Sequence, residues 1–325
     1  MVDLLALIAL LSPELRKAVG KAIGQLVTGA VGIPAAHLKA KTAIVEAEGE
    51  ANAIILKRVA VATGEKLAAD PELVERMASR FASGMVAKQE NVEAVARIAI
   101  EEVRSNPSVP SPNAEISTRW LSHFAAVAEI QTDQCMQLYF GKVLAGEIIR
   151  PGRFDPATLN VLSMMSAATA SDFSKLCQMA IEMGDRHYVL IHADPVPRKS
   201  GEYNRLDPSA WVKGEQLREF GLSHQSLLRL RSAGLLASLP EEEYPLLSDY
   251  CDGRPLKMAN AIVRLDGQRH LEAKAGEFRP NAISLAPAGE ELRLILSIDP
   301  DEAYLSALER MLQTAGVTLT RVRSD

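Results

Sequence analysis

Apolar side chains recur three and four residues apart almost without a break as far as Gly184. That is the period of an amphipathic helix, whose equivalent positions share one face. After a short apolar run at residues 2–11, Ser12-Pro13 supplies an N-cap and a first-turn proline. Leu15, Val19, Ile23, Leu26 and Val27 then predict a helix that Gly32 and Pro34 end. Gly20, Gly24 and Thr28 form a row of small residues on it, which permits close helix approach. Residues 35–69 predict a long alanine-rich helix with a narrow stripe of Ile44, Ala47, Ala51, Ile54, Ile55, Val59 and Ala62 between charges of both signs, as in a bundle or coiled coil. Asp70-Pro71 opens a helix to about Gly84. Residues 91–104 predict another, with Val92, Val95, Ile98, Ala99 and Val103 on one side.

Residues 105–113, SNPSVPSPN, hold three prolines in nine positions and read as an extended linker. Helical period resumes over 116–130, with Trp120, Phe124, Val127 and Ala128 inward. Met136, Phe140, Val143 and Glu147 then share a side of the next helix, which Pro151-Gly152 stops and Asp155-Pro156 restarts. A further helix is expected over 171–183. Beyond Gly184 the period shortens. Residues 187–193, 261–265, 270–273, 282–285 and 317–322 are strand candidates. Residues 217–236 read as helix, turn, helix with Ser223 as N-cap, and 302–315 as an amphipathic helix.

The expected fold is therefore mainly α over the N-terminal two-thirds, as helical hairpins or a bundle. A smaller α+β, winged-helix-like domain completes it. The expected segments are N-terminal helices at 1–33, a coiled-coil-like stretch at 34–104, the linker at 105–113, a helical domain at 114–183 and the α+β domain at 184–325.

Composition narrows this picture little. The 325 residues are 47% hydrophobic and only 5% aromatic, which supports real cores and leans towards helix. A net charge of -5 leaves no global footprint for nucleic acid. Cys135, Cys177 and Cys251 are scattered, with no Cys-x-x-Cys pair, so neither a disulfide framework nor a zinc site is expected. Cys135 and Cys177 read as small buried hydrophobes within helices. The opening apolar run lacks a signal peptide's basic flank and is too short to span a bilayer. The expected location is cytoplasmic, with peripheral contact to the inner membrane as a variant.

No phosphate loop, dinucleotide fingerprint, nucleophile elbow or HExxH is present, and no catalytic set, cofactor or metal site is expected. Glu147 is expected to be partly buried and paired with Arg150 and Arg153, or with Arg119, in a structural ion pair. Asp185, His187, His192 and Asp194 cluster in sequence. On a strand, however, His187 and His192 point to opposite faces, so shared metal ligation by them would need a bulge. Arg218, Arg229 and Arg231 on the helix-turn-helix-like segment are the candidate nucleic-acid contacts. Nearby Glu215, Glu219 and Glu241-Glu242-Glu243 oppose phosphate binding. Leu15, Val19, Gly20, Ile23, Gly24, Leu26 and Val27 are the candidate surface for self-association or membrane contact; burial in the protein's own core is the competing reading.

KQENVEAVARIAIEEV (residues 88–103), RWLSHFAAVAEIQTDQCMQLYFGKVLAGEIIRPGRFDPATLNVL (119–162) and SLAPAGEELRLIL near the C-terminus resemble a bacterial family known as domain of unknown function 2806. The resemblance implies no activity, substrate or catalytic residue. Abortive-infection-like relatives imply a setting in phage defence. EAEGEANAI (46–54) is similar to the helical tails of membrane-scaffold proteins of the stomatin and prohibitin type. The expected function is a non-enzymatic, self-assembling protein with a membrane surface or another protein as partner. The alternative is a nucleic-acid-binding regulator acting through residues 214–236.

Overall fold

A computed structural model describes residues 4–28, 71–105, 115–191, 213–237, 247–267, 281–314 and 316–322. The helix expected over 35–69, most of the linker and the strand candidate at 270–273 lie outside the described residues. The chain divides into two units, 1–159 and 160–325.

The first unit is helical. Helix α1 (Leu4–Ala9) and α2 (Pro13–Thr28) pack against α3 (Pro71–Ser105), as do α4 (Thr118–Ala128) and α5 (Gln134–Ile149). Helix α6 (Pro156–Met164) begins in this unit, and the division falls within it. The core is built where the apolar stripes meet. Val19 and Ile23 of α2, Val95, Ala99 and Val103 of α3, Phe124 of α4, and Phe140, Val143 and Leu144 of α5 are all fully or almost fully buried. Phe124 stacks on Trp120 with ring centroids 5.1 Å apart and meets Phe140 edge-on at 5.7 Å. Helices α3 and α5 approach closely at Gly141, where a Cβ would sit 2.6 Å from Ile98 Cβ.

Sequence spacing predicts two helices across residues 71–104, but α3 is one helix of 35 residues. Gly84 lies within it and nothing approaches within 4 Å of where its Cβ would be. One glycine costs a helix only about 1 kcal/mol relative to alanine, less than the surrounding helix formers contribute.

The second unit contains α7 (Ala167–Met179) and a six-stranded antiparallel sheet ordered β5-β2-β1-β3-β4-β6. The strands are β1 (Ile181–Met183), β2 (Arg186–Ile191), β3 (Asp252–Met258), β4 (Ala261–Asp266), β5 (Asn281–Ser284) and β6 (Thr318–Val322). Helices α8 (His224–Ser232), α9 (Pro287–Arg293) and α10 (Glu302–Thr314) complete it, with short 3-10 helices at Lys213–Phe220 and Leu247–Tyr250.

Gly184 takes a φ of +69° in the tight β1–β2 turn, the left-handed conformation such hairpins require. The β3–β4 turn places Ala259 at a φ of +50°. Strands β1 and β3 meet at one residue pair, Ile181 and Met258. Strand β2 is flanked on both sides, and His187 to Leu190 are buried in succession. That double burial explains why the stretch reads as a continuous run rather than an alternation.

Two strands depart from expectation. The helix predicted to reach Met183 ends at Met179, and Ile181–Met183 joins the sheet, because burial against neighbouring strands outweighs helical spacing over a few residues. Strand β3 forms despite Gly253 and Pro255. A register irregularity between Asp252 and Pro255 accommodates them. The 217–236 segment turns as expected at Ser223, whose Oγ accepts the Ser226 backbone N–H at 3.1 Å, but its first limb is a 3-10 helix. Cys177 is buried as expected, whereas Cys135 is exposed.

Candidate functional site

Glu147 is 1% exposed, near the C-terminal end of α5. Its Oε1 accepts the Gly152 N–H at 2.6 Å, and its Oε2 accepts those of Arg153 and Phe154 at 3.0 and 3.1 Å. The turn can present these donors because Gly152 adopts a φ of +82°. Across the turn, Trp120 Nε1 donates to the Phe154 carbonyl at 2.8 Å. The support expected from Arg150 and Arg153 thus comes in large part from backbone donors. The Arg153 side chain is held below the usual guanidinium pKa by burial and by nearby Arg150, against the pull of Glu147. This carboxylate shapes a turn.

The seven candidate contact residues of α2, Leu15, Val19, Gly20, Ile23, Gly24, Leu26 and Val27, are all buried inside the first unit. Helix α2 packs against α3, α4 and α5. Among the arginines of the helix-turn-helix-like segment, Arg229 donates from Nη2 to Asp172 Oδ2 at 2.7 Å and pins α8 to α7. Asp172 is buried, so Arg229 compensates a charge inside the unit. Arg218 lies on the 3-10 limb and Arg231 near the end of α8.

Two features escape sequence reading. The first is the N-terminal half of α3. Val74, Met77, Ala78, Phe81 and Met85 stand eighteen residues, or five turns, before Val92, Val95, Ala96, Ala99 and Val103. They therefore continue the same helical face. Downstream that face is buried, whereas upstream Met77 is 52% exposed and Phe81 and Met85 are each 47% exposed. Leu73 and Val86 are exposed beside them. Reading 71–84 and 91–104 as separate helices hid the continuity; the five-turn repeat itself was the available signal.

The second feature lies in the sheet unit. His187 of β2 gives its backbone N–H to Glu290 Oε1 at 2.7 Å, while its Nδ1 meets Glu290 Oε2 at 2.6 Å. Glu290 comes from α9, 103 positions along the chain, a pairing no local pattern announces. His187 Nε2 is buried without a hydrogen-bond partner and stands 3.9 Å from Glu182 Oε2 on β1. His192 and Asp194 lie outside the described residues. Among the described residues no three His, Cys, Asp or Glu side chains are grouped to hold a metal. No helix among them is long and apolar enough to cross a membrane.

A family model described as protein of unknown function (DUF2806) matches residues 75–309. No curated protein and no solved structure matches the chain.

Proposed function

Starting from a chain that belongs to the DUF2806 family, we propose that it acts by self-association rather than catalysis, through the exposed apolar face on the N-terminal half of α3. One observation carries this reading: that face continues a buried core stripe for about 17 Å with its large side chains uncovered. Contiguous exposed apolar surface of this kind marks interaction sites in soluble proteins. A helix half with little tertiary cover is also marginal in water by itself. Partner helices would supply the missing cover. The surface replaces α2, whose apolar residues already serve the core.

The second unit serves in this reading as a winged-helix-like module that recognises a protein partner. A phage-defence setting rests on sequence resemblance alone, and peripheral membrane contact on the apolar pattern of α2 and the likeness of residues 46–54 to membrane-scaffold tails. Nucleic-acid recognition is the weaker alternative, because Arg229 is engaged with Asp172.

Light scattering of the full chain tests the proposal. The wild type is expected to be a dimer or larger at tens of micromolar. Combined Met77→Glu and Phe81→Glu should give a folded monomer, since neither side chain belongs to the buried core. A monomeric wild type would assign the face to the chain's own residues 29–70 or to another partner, and would sink the proposal. Unchanged assembly in the double variant would do the same.

A further inference from the structure

We propose that two copies of the chain pair antiparallel through α3, with Phe81 at the two-fold axis and the tip of each helix seated on the α4–α5 corner of the other copy. The inference rests on the self-association proposed above and adds a second surface and an arrangement to it. Helix α3 changes character abruptly along its length. From Glu72 to Glu90 only Val74, Ala78 and Gln89 are less than fully exposed, whereas from Asn91 to Val103 only Glu101 is exposed. Among the described residues, the bundle's cover therefore begins at Asn91 and the upstream part of α3 projects beyond it. The edge of the bundle there is the connection between α4 and α5, and it is tied down. Lys88 Nζ meets Glu129 Oε1 at 2.6 Å, and Asn91 Nδ2 donates to the Glu129 carbonyl at 2.9 Å. Gln137 Nε2 donates to the Gln131 carbonyl at 2.8 Å, and Gln131 Nε2 to that of Val127 at 3.2 Å. Both chain neighbours of Ile130 are thus fixed, yet Ile130 itself is 59% exposed. The corner holds an isoleucine outward in a set position.

The apolar face of α3 is too small to serve alone. It is a strip of about 17 Å by 10 Å, well short of the roughly 800 Å² that each partner buries in a stable complex. The corner adjoins it at Lys88 and supplies further apolar surface. Symmetry then sets the register. Leu73, 38% exposed, is the apolar residue at the tip, and Lys88 and Gln89 mark the level of the corner, about 22 Å along the helix. Bringing Leu73 of one copy level with Gln89 of the other places the axis at their midpoint, Phe81. Met77 then lies opposite the other copy's Met85, with both thioethers beside the Phe81 rings, a favourable contact for sulfur. The three largest exposed side chains of the face, Met77, Phe81 and Met85, are thereby centred on the axis. The same operation seats both tips on both corners at once, as an isologous interface requires. A parallel pair would set Leu73 against Leu73 and leave each Ile130 without a tip to cover it.

Cross-linking of the full chain with a short bis-maleimide reads the arrangement, in a Cys135→Ser background whose two remaining thiols are buried. A mixture of Leu73→Cys and Ile130→Cys chains should yield a covalent dimer, and neither variant alone should do so. Ile130→Asp should weaken assembly at least tenfold in sedimentation, whereas Met164→Asp, at a residue 78% exposed elsewhere, should leave it unchanged. Leu73→Cys chains that link to one another would overturn the antiparallel arrangement. Full assembly of the Ile130→Asp variant would overturn the part given to the corner. In either case, loss of assembly on combining Met77→Glu and Phe81→Glu would leave self-association through α3 standing, so the two failures are distinct. A monomeric wild type would remove both.

Discussion

Glu147 places a carboxylate inside a helical core, and three backbone N–H groups make it tolerable. Removing the acceptor strands those donors within the turn. Glu147→Ala should therefore cost about 2–4 kcal/mol in urea unfolding, while Glu147→Gln, which keeps one acceptor oxygen, should cost about half as much. Equal losses would mean that charge, not acceptor geometry, dominates. Ala259 offers the opposite case: its left-handed backbone is strained for a side chain, so Ala259→Gly should stabilise the second unit by about 0.5–1 kcal/mol. At this scale the sequence located the important acid and its burial, because Glu147 shares a helical face with Phe140 and Val143. It pointed to arginines as the partners because side-chain charge is visible in a sequence, and a backbone donor turned inward by a glycine is not. His187 was equally conspicuous, but Glu290 came beside it only through folding.

Helix α3 combines two environments on one unbroken rod. Its downstream half is fixed by the core, whereas its upstream half depends on helical propensity and on whatever covers Met77 and Phe81. Gly84→Ala should consequently raise stability by about 1 kcal/mol and increase helical circular dichroism, since open space surrounds that position. A loss of stability would mean that a partner backbone closes on Gly84. Helices with strong caps were legible: Ser12-Pro13, Ser223 and Asp155-Pro156 all open elements where the sequence places them. Elements were missed where tertiary burial overruled local preference. Ile181–Met183 has helical spacing but fills a place between strands, and Asp252–Met258 carries a glycine and a proline that a bulge absorbs.

At the scale of the whole molecule, the two units should answer differently to alkaline pH. Tyr304 is buried, and its hydroxyl donates to the Leu190 carbonyl at 2.8 Å; burial pushes its pKa well above the ordinary tyrosine value. Tyr188 is also raised, chiefly by burial. In both cases the folded value exceeds the unfolded value of about 10, so the unfolded chain loses its protons first. Their contribution is intact below pH 10 and is lost as pH rises beyond it. Calorimetry between pH 8 and 11 should show the second unit's transition moving down. Tyr304→Phe should flatten that fall while costing about 1 kcal/mol at neutral pH. An alkaline limb unchanged in the variant would remove Tyr304 from the account. Thiol labelling should divide along the same lines of burial. Cys135 should react in the native state, while Cys177 and Cys251, the latter pushed up to about 12 by burial, should react only on unfolding. The sheet, finally, is held across its middle by one residue pair, Ile181 with Met258. Under mechanical load a joint so narrow is where a crack starts. Pulled in an optical trap, the sheet should tear into two three-stranded plates before either plate unravels, and a cysteine clamp across that joint should delay the rupture.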